Sequence, residues 1–270
     1  MPLTPARLIR LAFLLLTAIA TGAAAQEGPP GADPGDRPKS FSWGLGLAGL
    51  TQQQPYAGID RENHVIPVVF FENSWVQLMG PFLELRTPSL KWGNEQELSF
   101  GVGAQLIGFN GYEPDDAPIL NGMAERKSGI FAGPFVKWSS PLFNVSAQWM
   151  LDASRKSKGQ RISLGLERSF HVGEHFMLTP SAVATWMDGK YADYYFGVRS
   201  EEARAGRPTY VAKSTLNAEL GLRIDYLIDK RHSVFAALQY NALGSAITKS
   251  PLVDASSEQG ILLGYLFRFR

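Results

Sequence analysis

The sequence predicts an all-β protein: an antiparallel up-and-down transmembrane β-barrel of about 12 strands (10–12) occupying residues 41–270. Three observations predict it. Apolar and polar side chains alternate in runs of ten or more residues, the N-terminus has the form of an export signal, and no apolar stretch is long enough for a membrane helix. A soluble sandwich uses strands of about 5–6 residues. A barrel strand crossing a bilayer needs about 9–11, with an apolar face toward lipid and a polar face toward the lumen.

Arg7 and Arg10 precede an apolar run from Leu11 to Ala20, and small residues ending Ala23, Ala24 and Ala25 follow. This is the three-part pattern of a secretory signal peptide, with cleavage expected after Ala25. The apolar run is shorter than the roughly 20 residues of a spanning helix. Residues 26–40 are rich in proline, glycine and charge, and form a flexible leader expected on the periplasmic side. Residues 41–270 form one domain.

Composition excludes several classes. Without Arg7 and Arg10 the mature chain keeps 24 basic against 25 acidic side chains, which argues against nucleic acid as a partner. The absence of cysteine removes disulfides, thiolate metal sites and a cysteine nucleophile.

The alternation begins at Phe41, Trp43, Leu45 and Leu47, interleaved with Ser42, Gly44 and Gly46. Residues 64–71 are almost wholly apolar, so the pattern assigns them no phase. Residues 75–86 are interrupted by Gly80 and Pro81. Clear alternation returns at Leu98, Phe100, Val102, Ala104 and Leu106, and again at Phe143, Val145, Ala147, Trp149 and Leu151. It is cleanest from Leu216 to Tyr226, and the last run holds Ile261, Leu263, Tyr265, Phe267 and Phe269 on one face. Long connections at 108–127, 189–210 and 244–258 alternate with short ones at 139–141, 171–174 and 229–232. The long ones belong outside and the short ones in the periplasm. A reversal at Gly80–Pro81 completes an even count of twelve. Pro67, Pro134 and Pro180 lack a ladder donor and are expected at bulges or strand ends. The six tryptophans sit mostly toward strand ends, as interfacial girdles do.

Two apparent chemical motifs dissolve in this context. Gly44, Gly46 and Gly49 match a dinucleotide fingerprint, but within a strand rather than between a strand and a helix. His171, Glu174 and His175 match an inverted zinc-peptidase pattern, which needs a helix; these residues bridge two strands and contain Gly173. Catalytic, cofactor-binding and metal-binding residues are therefore all read as none. His64, near an outer strand end, is the single plausible base for a surface acyl-chain enzyme. The candidate functional side chains are instead the charges on lumen faces: Arg161, Glu167, Glu219, Arg223 and Asp225. On the lipid face such a charge would cost about 2–4 kcal/mol near the midplane. They either pack as an ion-pair plug or line a water-filled pore.

Trp186, Tyr191, Tyr194, Tyr195, Phe196, Gly197 and Val198, followed by Glu202, Ala203 and Tyr210, resemble the most recognisable segment of the MipA/OmpV family, the MltA-interacting proteins of Gram-negative outer membranes. Further matches fall in order: Tyr56 with Gly58, Pro67, Gly111 with Tyr112, Leu120–Met123 with Arg126, Ser250 with Pro251, and Gly264 with Tyr265. The resemblance implies an outer-membrane barrel in contact with outer-membrane lipid. For the family's namesake it implies a scaffold bringing a murein hydrolase together with a murein synthase. A non-enzymatic scaffold is the expected function, and a small-solute channel is the alternative. Barrels of this kind usually end on an aromatic residue, whereas here Arg270 follows Phe269. The long outer loops, Tyr194 to Val198 above all, either carry a binding function, as long loops on a rigid barrel commonly do, or fold structurally as an aromatic lid over the mouth, which is the favoured reading.

Overall fold

The computed structural model describes residues 41–93, 95–107 and 111–269. The expected signal peptide (residues 1–25), the expected leader (26–40) and Arg270 lie outside them. Fourteen strand segments form one antiparallel sheet. In chain order they are β1 (Ser42–Gln52), β2 (Glu62–Glu72), β3 (Val76–Met79), β4 (Phe82–Arg86), β5 (Leu90–Trp92), β6 (Gln96–Ile107) and β7 (Gly129–Ser139). There follow β8 (Asn144–Asp152), β9 (Gln160–Glu167), β10 (Phe170–Val172), β11 (Phe176–Met187), β12 (Thr215–Leu227), β13 (His232–Ala242) and β14 (Ser257–Arg268). Because β4 and β5 both pair with β6, and β9 and β10 both pair with β11, the wall has twelve staves. Pairing of β1 with β14 closes it. Among the described residues no helix is long and apolar enough to cross a membrane.

Closure depends on β1. Its inward Gly44 and Gly46 press against the backbone of β14, where a Cβ at Gly46 would collide with the Tyr265 carbonyl. The glycines of the apparent dinucleotide motif thus belong to the seam. Phe269 N–H donates to the Trp43 carbonyl at 2.9 Å, and the two rings stack with centroids 3.9 Å apart, so Phe269 extends the closing ladder.

Gly80 and Pro81 do reverse the chain, between β3 and β4. The β3–β4 hairpin is short, so the rim dips there. β3 reaches only Phe70 of β2, and among the described residues no strand pairs with that edge of β2 above Val69. This explains Pro67, which is neither at a bulge nor at a strand end as the sequence suggests. Gly80 N–H donates to the Val69 carbonyl, so the backbone of residue 67, two positions away, faces the same unpaired edge, where a missing N–H leaves no orphan donor. Pro134 and Pro180 also sit inside strands without a register slip; the β7–β8 pairing skips Gly133 and Pro134, and Pro180 lies where its partner stave is interrupted between β9 and β10. The register slips by one residue elsewhere, between Arg86↔Gly101 and Leu90↔Leu98, beside Pro88.

The missing phase of residues 64–71 also has a cause. Val65 and Val69 face lipid, while Ile66, Val68 and Phe70 face inward and pack with Leu50, Met79, Phe235, Leu262 and Leu266. A strand apolar on both faces shows no alternation. The long connections all emerge at one end of the barrel. They include the segment 189–210, read from the sequence as a loop, which contains a helix, α1 (Gly189–Phe196). A second short helix, α2 (Ser245–Thr248), lies in the last connection.

Candidate functional site: a lidded mouth above a charged lumen

The lid grows from α1. Asp188 caps it by accepting from Tyr191 N–H at 2.8 Å, which satisfies one of the donors a helix start leaves free. The helix ends at Gly197, where any side chain would meet the Asp193 carbonyl. Tyr191, Tyr195 and Phe196 are buried to about 1% exposure. They pack with Tyr56 and Ile59 from the β1–β2 loop, Tyr112, Leu120 and Met123 from the β6–β7 loop, and Ile247 and Leu252 from the β13–β14 loop. Phe131, Met150 and Met187, at the tops of wall strands, form the floor of the same cluster. Burying each such aromatic contributes roughly 1.5–3 kcal/mol.

Polar contacts tie the loops together. Tyr56 Oη donates to the Tyr195 carbonyl at 3.2 Å, Ser250 Oγ to the Phe196 carbonyl at 2.6 Å and Tyr210 Oη to the Ala246 carbonyl at 2.9 Å. Tyr194 Oη accepts from Lys127 N–H at 2.9 Å. Val198 and Tyr210 pair backbone to backbone.

The central tie is ionic. Arg126 forks onto both oxygens of Glu202 at 2.9 and 2.8 Å, with the side chains 2% and 3% exposed. The Arg126 Nε donates to the Tyr194 carbonyl at 2.7 Å and its Nη1 to the Ala124 carbonyl at 2.8 Å. Glu202 also accepts from Ala124 N–H and Arg199 N–H, both at 3.0 Å. Arg207, equally buried, donates to the carbonyls of Glu202, Ile119 and Asn121. The guanidinium groups of Arg126 and Arg207 and both carboxylate oxygens of Glu202 are thereby used, the condition under which a buried pair is tolerated.

Burial pushes the Glu202 carboxyl up, but the N–H groups of Arg199 and Ala124 and the Arg126 guanidinium outweigh it and hold the acid below its ordinary range. A depressed acid stabilises the fold above its unfolded value, about 4.3, and that contribution is lost as pH falls through the lower folded value. Cleavage by pepsin within residues 189–214 is therefore expected to appear below about pH 4, while the barrel strands stay intact. Equal resistance of this segment as pH is lowered further would contradict the assignment. Burial likewise pushes the Tyr112 phenol up to about 12 despite the neighbouring Arg126.

The five predicted lumen charges all lie on inward positions and divide into two layers. Arg161 sits under the lid, its guanidinium 5.6 Å from the Tyr191 ring centre. Glu219 is near it, accepting from Gln239 at 2.6 Å, and close by Asn241 donates to Glu258 at 2.8 Å. Glu167, Arg223 and Asp225 lie in the other half, toward the short turns. Arg223 forks onto Asp225 with both contacts at 2.7 Å, and Glu167 accepts from Asn144 beside Lys137 and Arg223.

That lower layer contains charges which the sequence reading missed. Lys137 grips both oxygens of Glu84 at 2.6 and 2.7 Å, Arg86 meets Glu72 at 2.9 Å, and Arg268 lies over the Phe70 ring near Asp225 and Glu72. Their signal was available: Glu84 and Arg86 alternate with Leu83 and Leu85, and Lys137 stands between Val136 and Trp138. The layer draws on β2, β4, β7, β9, β12 and β14, and so spans most of the circumference.

His64 faces inward near the top of β2, 3.7 Å from Glu62, and its Nε2 has no hydrogen-bond partner among the described residues. His171 and His175 flank the β10–β11 turn and cannot share a helix face. Among the described residues no group of three acidic or histidine side chains is arranged to hold a metal ion.

Most of the scattered loop residues of the resemblance thus converge on one lid, while Pro67, Trp186, Gly264 and Tyr265 lie in the wall. The family model described as MltA-interacting protein MipA matches residues 45–269. The chain belongs to the MipA family. Outer membrane protein OmpV of Vibrio cholerae is 29% identical over 170 residues, covering 62% of this chain and 65% of that protein. Outer membrane protein Omp26La of Vibrio anguillarum is 29% identical over 147 residues, covering 54% and 57%. The matched parts make up less than two thirds of those relatives' own lengths. Among solved structures, the NanC porin has a TM-score of 0.46 at 10% identity, covering 83% of this chain and 98% of the porin. An outer membrane channel from Pseudomonas putida F1 has a TM-score of 0.43 at 14% identity, covering 88% and 100%. This MipA-family member is an outer-membrane β-barrel.

Proposed function

We propose that this MipA-family barrel is a closed, non-enzymatic scaffold that holds envelope proteins, murein-remodelling enzymes among them, at the inner surface of the outer membrane. The observation that carries the reading is the aromatic lid over the mouth, locked by Arg126 and Glu202, with an ionic layer from Glu72 to Arg268 lining the inner wall below it. A barrel lidded and lined in this way has its short-turn surface left for work, and that surface faces the periplasm in outer-membrane barrels. The family description, MltA-interacting protein, names a partner of that kind.

Envelope extracts passed over the immobilised full chain test the reading. Recovery of a murein hydrolase or synthase is expected, and its loss when the exposed Lys230 and Arg231 in the β12–β13 turn are changed to glutamine. Recovery of no periplasmic protein would overturn it. A solute channel is the second reading, favoured by the buried amides on the inner wall, Gln52 and Gln105 toward the mouth and Gln77 level with Glu72 and Glu84.

A further inference from the structure

The rim of the lidded end is electrically lopsided. Over β8, β9, β11 and β12 it carries five exposed cations, Arg155, Lys156, Lys158, Lys190 and Lys213. The acids interspersed with them, Asp152, Asp188 and Asp193, are turned to internal use. Asp152 accepts from Ser154 Oγ, Ser157 N–H, Ser157 Oγ and Lys158 N–H at 2.6–2.9 Å, Asp188 caps α1, and Asp193 accepts from Ala212 N–H at 2.9 Å. Across the mouth the exposed charges are of both signs, Asp60 beside Arg61, Asp115 and Asp116 with Lys127, and Asp254 with Lys249, so the uncompensated positive charge is confined to the arc.

The cations are held together. The Asp152 bonds fold residues 153–159 into a tight knuckle in which Arg155 and Lys158 take φ of 58° and 54°. Side chains rarely adopt that left-handed region, so the surrounding bonds must hold it. A side chain at Gly159 would meet the Tyr191 backbone, so the knuckle abuts the start of α1 and Lys190; Gly189 in turn approaches the backbone at Lys213.

Immediately below this arc the wall is apolar and exposed, at Trp149, Leu151, Ile162 and Leu216. Trp149 donates its Nε1–H to Gln160 at 2.8 Å, an amphipathic ring at the level where apolar wall meets polar rim. A line of cations directly above a lipid-facing belt stands at the depth of lipid headgroups.

We propose that this arc binds the phosphate groups of anionic glycolipid in the outer leaflet, with the acyl chains lying on the belt beneath. Each cation near an anionic surface contributes about 1 kcal/mol, so three together give a preference of roughly a hundredfold. The occupant's phosphate selects the arc and its chains select the belt.

The test is native mass spectrometry of the folded full chain in detergent, offered lipid A, dephosphorylated lipid A or inorganic phosphate. Lipid A is expected to be retained at least about tenfold more than the dephosphorylated form. The triple variant Lys156→Gln, Lys190→Gln and Lys213→Gln, which spares the left-handed positions, should lose that preference. Lys158→Asn, which tolerates the left-handed backbone, should weaken it even if the triple variant misfolds. Changing Lys230 and Arg231 at the other end should leave it intact. Equal retention of both lipids, or an unchanged preference in folded arc variants, would overturn the proposal. So would displacement of lipid A by millimolar inorganic phosphate, which would assign the arc to free anions.

Discussion

Glu202→Ala is expected to destabilise the lid by about 3–5 kcal/mol, because it strands the Arg126 guanidinium in a buried setting. Arg126 is 2% exposed on its side chain, and Glu202 is its acidic partner. The loss should be local. Hydrogen exchange is expected to accelerate in residues 111–126 and 189–210, while β6, β11 and β12 keep native protection. The loop from 111 to 126 should respond as strongly as the loop that carries the change, because the pair joins two connections 76 residues apart. Replacing both partners, Arg126→Met with Glu202→Leu, should cost much less than either single change, since it removes the desolvated charges together. If the double variant were as loose as Glu202→Ala, the lid would depend on the shape of these side chains rather than on their charge.

Gly46→Val should have the second large effect, this time on the whole barrel. Overpacking alone costs about 1–3 kcal/mol. Here the added Cβ meets the Tyr265 backbone carbonyl of β14, which cannot rotate away as a side chain can. The strain falls on the β1–β14 seam that closes the cylinder, so the expected outcome is loss of the heat-modifiable folded band in gels. Gly49→Val is the matched control on the same strand, since nothing lies within 4 Å of a Cβ there. It should fold.

These two sites differ in how far the sequence discloses them. Wherever a strand has lipid on one side and a polar lumen on the other, as in β8 or β12, alternation showed its phase directly. β2 resisted because Ile66, Val68 and Phe70 pack into an apolar patch inside the lumen, which erases the period. Pro67 misled for a related reason: its strand is an edge at that height, a property of the neighbouring hairpin's length rather than of β2 itself. The helix α1 hid among tyrosines, which have modest helix propensity. Its one local signal was Asp188 placed to cap Tyr191. The Arg126–Glu202 pair was beyond local patterns, since it forms only when two loops from opposite halves of the chain meet. The resemblance did mark both residues, though without pairing them.

With the lid over its mouth and the ionic layer in its lumen the barrel should be closed to ions, which single-channel recording of the refolded mature protein in a planar bilayer reads out. Heat-modifiable migration of the same sample establishes that the barrel has formed. A folded barrel with no conductance above background is the expected result. Steady conductance from the folded protein would show an open lumen, because an ion would then be passing both the Arg126–Glu202 lid and the layer built on Glu84, Lys137, Arg223 and Asp225.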